Sequence, residues 1–308
     1  MKIQNRAKIC LCISIVIMLV AVVMSLTGHG INYGIDFAGG LNLQYDMGST
    51  YDKADVEEAL KAQGIEEFVV STVGSEGTAV QIRVPTLSDE DEVQNLQNGL
   101  ETTLLEKYPN MDTDNATASY VGPVAGATLV RNAIFSVLIA AVLMLIYIAF
   151  RFDLFSGVAA VAGLLHDVLI MISFMVILRN VIQMNSSFIA AMLTIVGYSI
   201  NNTIVIFDRI RENNKKPALA GQPRSEIVEL SVKESLGRTI NTTLTTLVTI
   251  VTLYILGVAS IREFSLPIII GILAGVYSAN LINGYVWAAL EQAHLDRKGQ
   301  KKLKAKKA

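Results

Sequence analysis

The chain has 308 residues, of which 52% are hydrophobic and 17% charged, with a formal net charge of -2 and a mean hydropathy of +0.47. That hydropathy exceeds what the core of a water-soluble fold of this size consumes, so the surplus apolar residues face something other than water. The near-zero charge excludes a nucleic-acid binder resting on bulk positive potential. The average hides two bodies of opposite sign: residues 28–128 carry 17 acidic against 4 basic side chains, and the rest carry 10 acidic against 21 basic.

Six apolar runs, near residues 9–27, 129–150, 155–178, 185–207, 239–258 and 265–288, are each long enough to cross the hydrocarbon core of a bilayer as a helix, which takes about 20 residues. The first follows the basic stretch Met1 to Lys8. It is too long for a signal-peptide apolar region and lacks a small-x-small cleavage site, so it reads as a retained anchor. Cys10 and Cys12 lie within it, two residues apart and therefore on different sides of a helix, which makes a disulfide between them geometrically unfavourable.

Lys and Arg concentrate on alternate connections: Lys2, Arg6 and Lys8; Arg151; the stretch from Arg209 to Arg238; and the tail from Arg297 to Lys307. The positive-inside rule then puts both termini in the cytoplasm and residues 28–128 outside. That outer segment alternates between strand and helix signals. Leu41 to Tyr45 reads as a strand, Asp52 to Gln63 as a helix stopping at Gly64, and Phe68 to Val73 with Thr78 to Val84 as two strands joined through Gly74 to Gly77. A helix capped by Ser88 or Asp89 ends before Pro109, and Ala116 to Val121 closes the order.

The expectation is a polytopic α-helical membrane protein with six transmembrane helices. An extracytoplasmic α+β domain of ferredoxin-like, βαββαβ plan lies between the first and second. The organisation expected is residues 1–27, cytoplasmic N-terminus and first span; 28–128, outer domain; 129–288, a five-helix bundle with a cytoplasmic loop at 208–238; and 289–308, a basic cytoplasmic tail. An amphipathic stretch from Ser225 to Leu236 suits a helix lying at the inner interface before the fifth span. The tail reads as a topology anchor, with contact to anionic lipid or ribosomal RNA as the alternative.

Polar groups inside the spans are the informative ones, because each must be paired, neutralised or wet. His166 and Asp167 fall near the middle of the third span; the carboxyl is either a protonated structural group or part of an ion path. Asn201 and Asn202 in the fourth span are either interhelical glue or oxygens that accept bonds from an Arg or coordinate a hard cation. Arg238, Thr242 and Thr246 share a face of the fifth span at i, i+4, i+8. They form either a snorkelling Arg above packing threonines or a polar seam turned toward Asp167 and the Asn pair. Asp208, Arg209 and Arg211 end the fourth span as an interfacial, salt-linked terminus. Asp36, Gly39 and Gly40 mark the exit of the first span, with the glycines set for a tight turn and Asp36 as a local cap. No P-loop, HExxH or GxSxG occurs, and the three His lack metal-ligand spacing, so no ATPase, metal site or bound cofactor is expected.

Longer strings carry a resemblance. Gly34-Ile35-Asp36-Phe37-Ala38-Gly39-Gly40, Val121-Gly122-Pro123, Phe150-Arg151-Phe152, His166-Asp167, the run from Gly197 to Glu212 and the run from Ser235 to Thr243 are similar, in order and at matching membrane positions, to the SecF family. It belongs to the SecD/SecF group of the resistance-nodulation-division superfamily. The resemblance implies a non-enzymatic subunit of the bacterial cytoplasmic membrane that pairs with a SecD-like subunit beside the SecYEG channel. It would use an ion gradient, H⁺ or Na⁺, to promote export of preproteins. YidC, YajC and membrane lipid join the implied partners, and nucleic acid does not. In the family pattern the residue before Thr203 is typically Asp, assigned to a proton path with an Arg of the fifth span. Here it is Asn202, while Arg238 matches the Arg. Protons could instead use Asp167, Na⁺ could take Asn202 as a neutral ligand, or the half could be a scaffold. Alternatives in other classes are a half-transporter of lipid or small molecules and a non-conducting assembly factor.

Overall fold

The computed structural model describes residues 3–73, 77–85, 87 and 90–307. Met1, Lys2, the expected hairpin residues Gly74, Ser75 and Glu76, and the expected caps Ser88 and Asp89 lie outside the described residues. The chain divides into two compact units, one of Met1–Asn32, Ser136–Ile182 and Ser187–Ala308, the other of Tyr33–Phe135 and Gln183–Ser186.

The second unit runs α2 (Ile35–Ala38), β1 (Gly40–Asp46), α3 (Lys53–Ala62), β2 (Val69–Val73), β3 (Ala79–Val84), α4 (Glu90–Lys107) and β4 (Asp112–Val121). The strands form one antiparallel sheet in the order β2-β3-β1-β4. The period-2 alternation read from the sequence sets the register: Leu41, Leu43 and Tyr45 pair with Val84, Ile82 and Val80, and all six are buried on one face. Val56 and Leu60 of α3 and Val93, Leu96, Leu100 and Leu104 of α4 recur at helical spacing and cover that face to give a single core. Asp52 starts α3 by accepting the Ala54 N–H, and Gly64, at a φ of 81°, follows its end.

The first unit is built from α1 (Ile3–Leu26), the later part of α5 (Pro123–Arg151), α6 (Leu154–Ile177), α7 (Ser186–Asn214), α8 (Arg224–Leu256), α9 (Ala259–Ser278) and α10 (Gly284–Lys307). Among the described residues, six helical stretches are long and apolar enough to cross a membrane: Ala7–Leu26, Ala125–Ile148, Leu154–Ile177, Ser186–Asn214, Arg224–Leu256 and Ile261–Lys298. Two expected boundaries are absent. The amphipathic stretch from Ser225 and the fifth span form one unbroken helix, α8, because nothing between them breaks the i→i+4 pattern. Its buried face, Val228, Ser231, Val232, Ser235, Thr239 and Thr243, continues through both parts. The sixth span runs through a π-helical turn, Ala279–Asn283, into α10.

Asp153 caps α6 by accepting the Ser156 N–H at 2.8 Å, and its other oxygen accepts from the Trp287 indole at 3.4 Å. This fastens α10 to the start of α6. Gly271 lets α9 press against Ile195 and Met171, where a Cβ would overlap both side chains.

Candidate functional site

Asp167 is wholly buried and His166 nearly so, on α6. The His166 Nδ1 lies 2.9 Å from Asp167 Oδ1, and both Ser199 of α7 and Ser278 of α9 donate to Asp167 Oδ2, the latter at 2.9 Å. On the other side of the imidazole, Nε2 lies 2.8 Å from the Ser14 hydroxyl of α1. Ser14 in turn meets the Tyr277 hydroxyl at 2.5 Å, and that hydroxyl donates to the Cys10 carbonyl. The Tyr277 and His166 rings pack with centroids 5.4 Å apart. Four helices thus converge on one carboxyl, and every polar atom in the cluster has a partner, as burial in an apolar medium requires.

A second polar group gathers around the π-helical turn, which inserts one extra residue per turn and re-aims the side chains that follow it. Asn280 Oδ1 accepts from Thr239 of α8 at 3.2 Å, and Asn283 Nδ2 donates to Thr203 of α7 at 2.8 Å. Asn283 packs directly on Gly163 of α6, where any Cβ would overlap its amide. Asn202 is as buried as Asn283, with Nδ2 of the first and Oδ1 of the second lacking a hydrogen-bond partner. A buried amide atom without a partner costs about 1–3 kcal/mol, so two of them in one bundle mark a place for an occupant or a second arrangement.

The remaining candidates are placed differently from one another. Arg238 and Asn201 are exposed, and Arg238 makes no ion pair among the described residues. The buried face of α8 carries Thr239 and Thr243, not Arg238, Thr242 and Thr246, so of the two readings of that face the structure does not show the one turned toward Asp167. Thr242 and Thr246 donate back to the carbonyls of Arg238 and Thr242 in their own helix, at 2.8 and 3.0 Å. At the end of α7, Asp208 pairs with Arg151 at 3.1 Å. Arg209 pairs with Glu212 and with Glu234 of α8 at 2.6 and 2.7 Å. The salt links exist, but their partners come from other helices or the next turn because adjacent helical residues point apart.

Asp36 is not a local cap. Its Oδ2 accepts the Ser186 N–H at 2.8 Å, so it caps the first turn of α7, within the second unit. Gly34 donates to the Met184 carbonyl at 2.9 Å beside it. Gly39 and Gly40 have φ of 77° and 108°, and a Cβ on Gly40 would overlap the Val84 carbonyl and Pro85. Only glycine can turn the chain there into β1.

Residues 101–293, which contain Asp167, Asn202 and Arg238, match the protein export membrane protein SecD/SecF C-terminal family. Residues 25–49, which contain Asp36, Gly39 and Gly40, match the SecD/SecF GG motif. The chain belongs to the SecD/SecF family. It is 35% identical over 280 residues to protein translocase subunit SecF of Rickettsia bellii, covering 91% of this chain and 90% of that one. It is 34% identical over 286 residues to protein translocase subunit SecDF of Bacillus subtilis, covering 90% of this chain and 36% of the relative. The crystal structure of SecDF, a translocon-associated membrane protein from Thermus thermophilus, superposes with a TM-score of 0.79 at 32% identity. That match covers 94% of this chain and 38% of the larger one. SecD/SecF membership makes the chain a multi-pass membrane protein of protein export.

Sequence reasoning found His166 and Asp167 but not Ser14, Tyr277 or Ser278, which complete their site. The available signal was the Ser14 hydroxyl between Ile13 and Ile15 in the first span. Within α1 the hydroxyl can donate to the Cys10 carbonyl one turn back, so pattern within that helix says nothing about the α6 and α9 partners it also meets.

Proposed function

We propose that this chain is the SecF half of a Sec translocation accessory unit in the cytoplasmic membrane, pairing with a SecD-like subunit. It draws on an ion gradient to promote preprotein export beside SecYEG, with YidC and YajC in the same assembly. Both termini are cytoplasmic. Residues 28–128 form an extracytoplasmic ferredoxin-like domain, a reading supported by the β2-β3-β1-β4 strand order and the segregated acidic charge. The observation that carries the ion reading is Asp167: a carboxyl with no solvent exposure in a membrane-crossing helix, held by His166, Ser199 and Ser278. Such a group is expensive to retain without a role. Pairing is supported by polar side chains exposed along the spans, Asn201 on α7 and Arg238, Asn241 and Thr245 on α8, which in a bilayer need a polar partner surface.

A second ion is favoured by one observation, the unpartnered buried Oδ1 of Asn283, which with the Oδ1 of Asn202 and the Thr203 hydroxyl would offer neutral oxygens to Na⁺. Export of a secretory protein into vesicles, under separately imposed ΔpH and ΔpNa, tests both. Stimulation by ΔpH that Asp167→Asn abolishes supports proton coupling. Stimulation by ΔpNa that Asn202→Leu abolishes supports Na⁺. Insensitivity of the wild type to both gradients refutes the ion reading.

A further inference from the structure

We infer that Tyr277 and Ser14 form a proton wire into the His166–Asp167 pair, and that the structure captures this wire with its proton loaded. The inference rests on the reading that Asp167 titrates and adds where the proton runs and what it holds in place.

A carbonyl only accepts, so the Tyr277 O–H must supply the bond to the Cys10 carbonyl. With the Tyr277 hydrogen spent, the one Ser14 hydrogen has two acceptors, the Tyr277 oxygen at 2.5 Å and the Cys10 carbonyl at 3.2 Å, and the shorter contact takes it. With the Ser14 hydrogen committed to either acceptor, the 2.8 Å contact between Ser14 Oγ and His166 Nε2 needs a hydrogen on Nε2. The 2.9 Å contact between Nδ1 and Asp167 Oδ1 needs one more. It sits either on Nδ1, as imidazolium beside carboxylate, or on Oδ1, as neutral imidazole beside carboxylic acid. Both arrangements hold one proton more than a neutral imidazole with an ionised carboxyl, and both leave the pair with no net charge, the arrangement that burial favours.

Discharge follows the same chain. The Tyr277 hydrogen passes to a water molecule reaching the half-buried phenol, the Ser14 hydrogen passes to Tyr277 Oη, and the Nε2 hydrogen passes to Ser14 Oγ. One proton exits, one site is emptied, and each hydroxyl ends by donating in the reverse direction: Tyr277 to Ser14, and Ser14 to Nε2. Nδ1 keeps its hydrogen on the ionised Asp167. The bond lost is the one from Tyr277 to the Cys10 carbonyl, which ties α1 to α9.

Proton count therefore controls how firmly α1 is held. The groups facing the pair from the packed helices are the hydroxyls of Ser14 on α1, Ser199 on α7 and Ser278 on α9, and the Tyr277 phenol. Cys10 joins through its carbonyl. Among these described residues Tyr277 and the Cys10 thiol are the titratable side chains besides the pair.

The test uses the full chain with its SecD-like partner in lipid vesicles. Nitrogen NMR of His166 in the wild type at neutral pH is expected to show a hydrogen on Nε2, and its absence overturns the proton count. Spin labels on α1 and α9 are expected to report a pH-dependent separation that Tyr277→Phe and Ser14→Ala abolish; a change that survives both variants overturns the tie. Both variants are also expected to lower ΔpH-stimulated export by about tenfold, in the range a positioned proton-transfer group contributes. If Asp167→Asn abolishes that stimulation while Tyr277→Phe and Ser14→Ala retain it, the wire falls and the Asp167 reading stands. If Asp167→Asn retains it, the underlying reading falls with the wire.

Discussion

The two units solve opposite problems with the same chain. In the second unit the buried core cluster from Leu41 to Met111 is apolar, and among the described residues of that unit Arg83 is the one buried charged side chain. The first unit is turned the other way: Ile13, Val16, Val23, Ile139 and Leu143 are exposed, while His166, Asp167, Asn202, Thr203, Thr239 and Asn283 are buried. The difference follows from the solvent. In water the hydrophobic effect drives apolar side chains inward, whereas in lipid an outward Leu costs nothing and polar groups must find each other. Specificity therefore rests on shape and registry in one unit and on hydrogen-bond completeness in the other.

Substitutions can break this contrast, and Trp287, the single Trp of the chain, reports the first unit by its fluorescence. The largest loss is expected for Asp167→Leu, which keeps volume but strands His166, Ser199 and Ser278. Removing one member of a buried pair costs about 3–5 kcal/mol, seen as a lower midpoint of the Trp287 transition in detergent. Gly163→Ala should cost about 1–3 kcal/mol by overpacking, because the added methyl displaces Asn283 from Thr203. A neutral result there would place the Asn283 amide in a softer setting than its neighbours imply.

Gly40→Ala belongs to the other unit and should cost about 1–3 kcal/mol through the disfavoured φ and the Val84 overlap. Its signature is loss of sheet circular dichroism with the Trp287 midpoint unmoved. Tyr45→Phe is smaller, about 1 kcal/mol for one hydrogen bond. The Tyr45 hydroxyl donates to Glu101, which also accepts from Gln97. Burial and then the Glu101 charge hold the Tyr45 phenol far above its ordinary range, so it stays neutral and the effect should not vary with pH.

The smallest effect concerns Asp55, held below the usual carboxylate range by its bond from Lys107 and then by Tyr108. Its contribution is full above the unfolded value of about 3.9 and fades as pH falls through the lower folded value. Lys107→Met should therefore flatten the acid edge of a melting-temperature profile of the second unit. An unchanged acid edge would show the exposed pair to be thermodynamically idle.

Legibility followed the range of the interactions involved. The strands and helices of the second unit were readable within a residue or two because alternation in β1 and the i, i+4 spacing of Val56 and Leu60 are local. Asp36 was readable as a cap but not as the cap of α7, since its partner Ser186 is distant in sequence. The helix from Arg224 to Leu256 was divided in two by a change of composition at the expected membrane surface, which the backbone does not register.

The site shows the same limit more sharply. His166 and Asp167 stood out because a carboxyl in an apolar run is rare and costly. On α8, Arg238, Thr242 and Thr246 do share a face, but that face is not the one α8 buries. Helical periodicity groups residues by face and leaves open which face meets which neighbour.

By itself the sequence determined the six apolar spans, the acidic folded segment between the first two, the position of the buried carboxyl and the family. These are set by composition, period and short strings, all of which act within a few turns of chain. Only the tertiary structure decided that Ser14, Tyr277, Ser199 and Ser278 close around His166 and Asp167, that Arg238 stays outside, and that two amides are left without partners. Those outcomes depend on how helices far apart in sequence rotate against each other, and the energy that sets the rotation belongs to contacts no single helix contains.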